Sequence, residues 1–299
     1  MTSVGRVAYR CTATLCAELV SRVPMLEQPL VRLGASIWHR PGAGRFYRSV
    51  TARYGDRLRQ SRSNFRRVMV GDTPLILDVT EFTASGLYFG NVPYEPRTTD
   101  YIRQHLREGG TFADVGANHG YFTILAAALV GERGRVFAFE PNPPVYEQLD
   151  QHVRLNDFGR RVVLVQQALS DTSQEGAPFF VSQFGGNSVL SSLMPAASTL
   201  AIGGLSPDRT ILVRTGTFDR WLAASGVRRV DLVKIDTEGA EAHVVRGMSE
   251  ALRDGRVGAV VCETRWDSDA HRLLCGFGLV PQALETVGPL ANIAYAQPH

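Results

Sequence analysis

From residue 111 onward the sequence settles into one rhythm, and that rhythm limits the fold more than any other feature. Short apolar runs at 111–115 (TFADV), 135–140 (RVFAFE), 161–166 (RVVLVQ), 230–236 (VDLVKID) and 258–263 (GAVVCE) alternate with helix-like stretches at 120–130, 143–156, 239–253 and 267–276. Apolar strands alternating with helices specify an α/β architecture, a parallel sheet covered on both faces. Two more strand candidates, 278–286 and 290–297, are joined through Gly288-Pro289. Their short link predicts an antiparallel pair at one sheet edge. The span 167–217 breaks the rhythm, is rich in Gly and Ser, and reads as a lid partly covering a ligand pocket.

Upstream of this body, residues 1–40 read as helical, Pro41-Gly42-Ala43-Gly44 as a break, and the chain to Arg67 as a polar, Arg-rich run. Two short strands are expected around Gly71-Asp72, then a helix over 98–110 with Thr98 or Thr99 as N-cap and Gly109-Gly110 as its stop. The predicted division is a mostly helical, basic extension over 1–65 and one large domain over 66–299.

Charge sharpens that division. Residues 1–65 carry eleven Arg against three acids, whereas the remainder carries 21 bases and 26 acids. A basic arm suits an anionic membrane surface, nucleic acid, or the acidic face of its own body. It lacks aromatic–basic interleaving, so nucleic acid is not expected as a partner. No apolar run reaches the roughly 18 residues of a membrane span, and Glu18 and Arg22 interrupt the start that resembles a signal peptide. Leu15, Leu19 and Val23 instead recur at helical spacing. A cytoplasmic protein with peripheral membrane contact through the arm is expected. The four cysteines (11, 16, 262, 275) form no C-x-x-C pair and read as buried thiols.

The chemistry begins at "DVGANHGY", residues 114–121. A Gly-rich turn between a first strand and its helix is a ligand-binding position in open α/β sheets, where glycine lets a ligand approach the backbone. Asn118 stands where a dinucleotide fingerprint wants its second Gly. Asn tolerates the left-handed turn, yet adds an amide where pyrophosphate needs bare backbone. With Asp114 at the strand end, the turn suits a ligand bearing an amine. That favours S-adenosylmethionine over NAD. Glu140 ends the second strand, where a carboxylate accepts hydrogen bonds from a ribose diol. Asp171, after the third strand, stands where an adenine amino group has an acid to donate to.

"VDLVKIDTEGAEAHVVRGM", residues 230–248, carries the second group. Lys234 is the one Lys of the chain and lies inside an apolar strand, so it must be paired if buried. Asp236 ends that strand, Thr237 is expected to cap the next helix, and Val244, Val245 and Met248 form its apolar stripe.

Together these stretches resemble the FkbM-type S-adenosylmethionine-dependent methyltransferases, from about Leu75 to the C-terminus. The resemblance rests on "YEP" (94–96), "DVGANHGYFT" (114–123), "FEPNP" (139–143), "ALSD" (168–171), "GGNSVL" (185–190), "TFD" (217–219) and "VKIDTEGAE" (233–241). It implies a class I methyltransferase fold, a Rossmann-like seven-stranded sheet. It also implies methyl transfer, most often to a hydroxyl of a sugar, glycolipid or natural product. Cofactor contacts are expected from Glu95, Asp114, Gly116, Asn118, Gly120, Tyr121, Glu140, Asn142 and Asp171. A base must take the hydroxyl proton. Asp236 is the first choice by position, ahead of His119, Glu263 and His243, with Lys234 holding Asp236 ionised. Asp236, Glu238 and Glu263 are hard oxygen ligands, but nothing fixes a metal spacing and no metal is expected.

The alternatives are an NAD-dependent oxidoreductase, which lacks its G-x-G-x-x-G and its Tyr-x-x-x-Lys, and a non-catalytic scaffold on the same fold. No readable code identifies the acceptor or the oligomeric state.

Overall fold

The computed structural model describes residues 3–37, 39–61, 64–80, 82–91, 94–181, 191–194 and 209–298, and every count below refers to these. The chain forms two compact units: Met1–Met69 with Pro74–Tyr94, and Val70–Thr73 with Glu95–His299.

The first unit holds helices α1 (Ser3–Arg22), α2 (Glu27–Ile37) and α3 (Ala43–Gln60), strands β1 (Phe65–Val70) and β2 (Thr73–Asp78), and helix α4 (Phe82–Gly90). The Arg-rich run expected after Gly44 is a regular helix, α3. Its Tyr47, Val50, Tyr54 and Leu58 recur every three or four residues and bury one stripe, which the arginines between them disguise. Ala13 and Ala17 of α1 pack into the same core with Val20, Val79 and Phe89. Glu27 is the polar centre. Its carboxylate accepts from Arg66 Nε at 2.6 Å and Nη2 at 2.8 Å, from the Tyr88 hydroxyl at 2.6 Å, and from the Tyr54 hydroxyl. These bonds tie the strand pair and α4 to the helices, so the unit runs beyond residue 65.

The second unit opens with α5 (Pro96–His105). Pro96 takes the first helical position with Glu95 as N-cap at φ 41°, so Thr98 and Thr99 fall inside the first turn and do not cap it. The main sheet comprises β3 (Thr111–Val115), β4 (Arg135–Phe139), β5 (Val162–Val165), β9 (Val230–Ile235), β10 (Val257–Thr264), β11 (Val280–Val287) and β12 (Leu290–Ala296). Its order is β11-β12-β10-β9-β3-β4-β5. Five strands are parallel, and β12 lies antiparallel between β10 and the edge strand β11. Helices α6 (Tyr121–Val130) and α7 (Pro143–Leu155) follow β3 and β4, α8 (Phe218–Ala224) precedes β9, and α11 (Asp269–Gly276) follows β10. The helix expected over 239–253 is two short ones, α9 (Glu241–Arg246) and α10 (Ser249–Arg253). On one face Val233, Ile235, Val260 and Cys262 form a core with Val244, Val245 and Met248.

The expected lid over 167–217 is in good part sheet. Strands β6 (Ala168–Leu169), β7 (Gln174–Val181) and β8 (Arg209–Gly216) form a second sheet in the order β6-β8-β7. Inward-facing Ala177, Phe179, Val181 and Val213 bury its core with Ala168. Residues 182–190, with the "GGNSVL" stretch, and 195–208 lie outside the described residues. Of the four thiols only Cys262 is buried; Cys11 is exposed.

Candidate functional site

Both motifs converge at the C-terminal ends of β3, β4 and β9. Asp114 pairs in register with Lys234 across β3 and β9. Directly paired residues of neighbouring strands point to the same face. That face is opposite the apolar core and carries the site.

The turn after β3 takes the left-handed conformations expected of it: Gly116 at φ 81°, Asn118 at 50° and Gly120 at 91°. The chain itself crowds two of these glycines. A Cβ at 116 would lie 1.9 Å from the Asp236 carbonyl oxygen, and one at 120 would lie 2.4 Å from Leu149 Cδ1. The close approach is by the chain itself. Asp114 is buried and accepts from Thr123 Oγ1 at 2.6 Å; burial pushes its carboxyl up to about 6. Glu140 braces two turns, accepting from the Asn118 N–H at 3.0 Å and the Asn142 N–H at 2.8 Å. Burial pushes it up to about 7 in spite of both bonds. Asn118 Oδ1 is buried and accepts no hydrogen bond. Tyr121 starts α6, and its hydroxyl meets Thr99 Oγ1 at 3.3 Å. The turn thus presents an orphaned acceptor between two buried carboxylates, a donor-seeking set that fits a ligand rich in amine and hydroxyl groups.

The second motif carries the strongest electrostatics. Lys234 is 2% exposed. Its ammonium donates to Asp236 Oδ2 at 2.7 Å, lies 3.9 Å from Glu95 Oε2, and stands 4.6 Å from the centre of the Phe122 ring. Burial disfavours its charge, but the carboxylates of Asp236 and Glu95 outweigh that and raise its pKa. Burial likewise opposes ionisation of Asp236, and Lys234 reverses it, holding the carboxyl below its usual range. The Asp236 charge, with burial, pushes neighbouring Glu263 up to about 10. A side-chain hydrogen bond links Glu263 to Asp236. Burial, then the charges of Asp236 and Glu241, raise Glu238 well above its usual range.

Thr237 does not cap a helix as expected. Glu241, at the start of α9, instead accepts from the Thr237 N–H and hydroxyl at 3.0 Å and the Gly239 N–H at 2.9 Å. That clasp fixes the loop bearing Glu238 at φ 55°. Ser192 Oγ donates to the Thr237 carbonyl at 3.0 Å, bringing the described 191–194 segment to the same loop. Neither role was read from the sequence. The final Glu of D-T-E-G-A-E signals the clasp, whereas nothing signals Ser192.

Other expected residues are placed differently. Glu95 joins the Lys234 group rather than the β3 turn. Asp171 shares its Oδ2 with His243 Nδ1 at 2.8 Å, with Arg246 at 4.0 Å, so His243 is engaged away from Asp236. The His119 carbonyl accepts from His152 Nδ1 at 2.7 Å, and its ring acts electrostatically on Glu140.

A seven-stranded sheet in this order, with a ligand-seeking turn after β3 and an acid at the end of β9, defines the class I methyltransferases. The Methyltransferase FkbM domain profile matches residues 114–276, and the chain belongs to that family, whose methyl donor is S-adenosylmethionine. A hexuronic acid methyltransferase, AglP of Haloferax volcanii, is 27% identical over 160 residues, covering 52% of this chain and 57% of that protein. The methyltransferase sdnD of Sordaria araneosa is 28% identical over 190 residues, covering 58% and 72%. The chain thus spans little more than half of the first relative. An O-methyltransferase from Bacillus cereus, solved with SAH, aligns at 14% identity over 69% of this chain and 85% of its own, with a TM-score of 0.41, too low to carry an argument. Among the described residues no helix is long and apolar enough to cross a membrane.

Proposed function

We propose that the chain methylates a hydroxyl oxygen of a sugar or other small molecule, glycolipids included. The observation that carries this reading is the buried Lys234–Asp236 pair beside the β3 turn. It holds the Asp236 carboxyl below its usual range next to the expected cofactor cradle, with Glu263 hydrogen-bonded to it. Bound S-adenosylmethionine supplies an electrophilic methyl, which the acceptor oxygen takes, leaving S-adenosylhomocysteine. In this reading Glu140 binds the ribose diol, Asp114 and Asn118 face the amino-acid portion of the donor with Gly116, Gly120, Tyr121 and Asn142 shaping the turn, and Asp236 takes the acceptor's hydroxyl proton. The hexuronic acid named for one relative supports a sugar acceptor.

Asp236→Asn keeps shape and removes the charge. Turnover should fall about 10²–10⁴-fold, the contribution of a positioned base. Cofactor affinity by titration calorimetry should stay within a few fold. Unchanged turnover at full cofactor occupancy would sink Asp236 as the base and leave Glu263 or His119.

The N-terminal unit supports a second contact, an anionic lipid surface that would present a glycolipid acceptor. Helix α1 turns Ala13, Ala17 and Val20 inward and leaves Leu15 and Leu19 65% and 56% exposed, with Met25 79% exposed beyond it. Small residues inside and large apolar ones outside reverse the usual order of a packed helix. Outward leucines beside an Arg-rich surface match an anionic bilayer.

A further inference from the structure

Three carboxylates converge beside the Lys234 pair. One oxygen each from Asp236, Glu238 and Glu263 lie within 4.8 Å of one another. The register explains part of this. Lys234 pairs with Val261, so Asp236 and Glu263, two residues further along each strand, share one face. The clasped loop then brings Glu238 back toward them in its left-handed conformation.

A fourth oxygen is brought to the same face by the register of β12. Asn292 of β12 lies directly opposite Glu263 in register, on the same face. It is 2% exposed, and its Oδ1 accepts no hydrogen bond. An acceptor buried without a partner costs about 1–3 kcal/mol, so a donor or a cation is owed to it. The Lys234 ammonium is engaged by Asp236 Oδ2 and Glu95.

Three carboxylates and an amide carbonyl are hard oxygen donors of the kind that Mg²⁺ and Mn²⁺ take. We propose that Asp236, Glu238, Glu263 and Asn292 form a divalent-cation site at the C-terminal ends of β9 and β10. A cation there would stabilise the negative charge developing on an acceptor oxygen. That consequence rests on the methyl-transfer reading, whereas the binding itself does not. With the cation bound, Asp236 serves as a ligand in place of its role as base, and its substitution disables either role.

The test uses the full chain with Mn²⁺ alone, without donor or acceptor. Electron paramagnetic resonance of free Mn²⁺ should show about one ion bound per chain, and Mg²⁺ should raise the thermal midpoint as any native-state ligand does. Glu263→Gln and Asn292→Leu should each weaken Mn²⁺ binding by about 10-fold or more, with calorimetric S-adenosylmethionine binding reporting an intact fold. No Mn²⁺ uptake at millimolar concentration and no Mg²⁺ effect on the wild-type midpoint would overturn the site even if the variants fail to fold. Equal binding by wild type and both folded variants would place the ion elsewhere and overturn it too. A chain that binds Mn²⁺ yet transfers no methyl keeps this inference and loses the other. One that methylates fully in EDTA and binds no Mn²⁺ does the reverse.

Discussion

The carbonyl oxygen of Asp236 occupies the space that a side chain at Gly116 would need. A Cβ there would lie 1.9 Å from it, and the Asp236 N–H also donates to the Val115 carbonyl at 3.0 Å. The β3 turn and the β9 exit are therefore in backbone contact. Gly116→Ala should cost about 2–6 kcal/mol, left-handed strain plus overpacking. Gly109 has a similar φ, 79°, but a Cβ there would meet nothing within 4 Å. Gly109→Ala should cost about 1–2 kcal/mol, the left-handed strain alone. Urea unfolding of both variants checks this, and equal costs would refute the clash.

Glu140 makes stability and binding depend on pH in opposite senses. Burial lifts its carboxyl from 4.5 to about 7, so across that interval the folded chain holds a proton that the unfolded chain has released. Folding stability contributed by this group is full below pH 4.5 and falls as pH rises through 7, by up to about 3 kcal/mol. Glu140→Gln should flatten that slope in urea unfolding between about pH 5 and 7.5. The ionised form accepts the ribose hydroxyls, so S-adenosylmethionine affinity should rise through the same interval. A pH-independent dissociation constant would remove Glu140 from the donor site.

Glu27 works the other way. Burial raises its pKa, but bonds from Arg66, Tyr54 and Tyr88 outweigh it and bring the carboxyl from 4.5 down to about 2. Its stabilisation is present above pH 4.5 and is lost as pH falls toward 2. Glu27→Gln leaves Arg66 half-buried without its counter-charge and should cost about 2–4 kcal/mol at pH 7, given the partial exposure of the pair. The first unit of the variant should show no further loss on acidification to about pH 3. Guanidinium titrations at acidic and neutral pH, followed by circular dichroism, supply both numbers.

The lipid contact predicts a composition-dependent affinity. Full-length protein should sediment with vesicles containing anionic lipid and much less with neutral ones. Leu15→Ser and Leu19→Ser should each weaken that binding by about 10-fold, near 1–1.5 kcal/mol of apolar burial. Equal sedimentation with neutral vesicles would rule out the electrostatic part, and unaltered binding by both variants would rule out α1.

The sheet was legible because each of its buried strands is a near-continuous apolar run with a helix or turn after it. The pairing of Lys234 was legible because a lone ammonium in such a run has few other options. The acidic group was only half legible. Asp236 and Glu238 are neighbours in sequence, but Glu263 and Asn292 join them through registers set by β10 and β12, and nothing local announces a register. Helix α3 was obscured by its arginines. Strands β7 and β8 were obscured by the Gly and Ser around them, which signal a loop whatever the flanking segments do. The glycine turn was legible as a place of close approach, but the Asp236 carbonyl that lies against Gly116 was not, since nothing local in a sequence announces a contact from another strand.

Strands β7 and β8 pair from Gln174 opposite Thr215 to Val181 opposite Arg209. Val181 and Arg209, the described strand residues on either side of the connection between them, therefore lie opposite each other. Closing a longer or shorter connection there changes the loop entropy by well under about 1 kcal/mol for modest changes in length. Within that connection Ser192 holds the Thr237 carbonyl, so one part of it is tied to the loop after β9. Length changes on either side of Ser192 are therefore cheap in entropy, whereas the Ser192 position itself is anchored to the loop that carries Glu238.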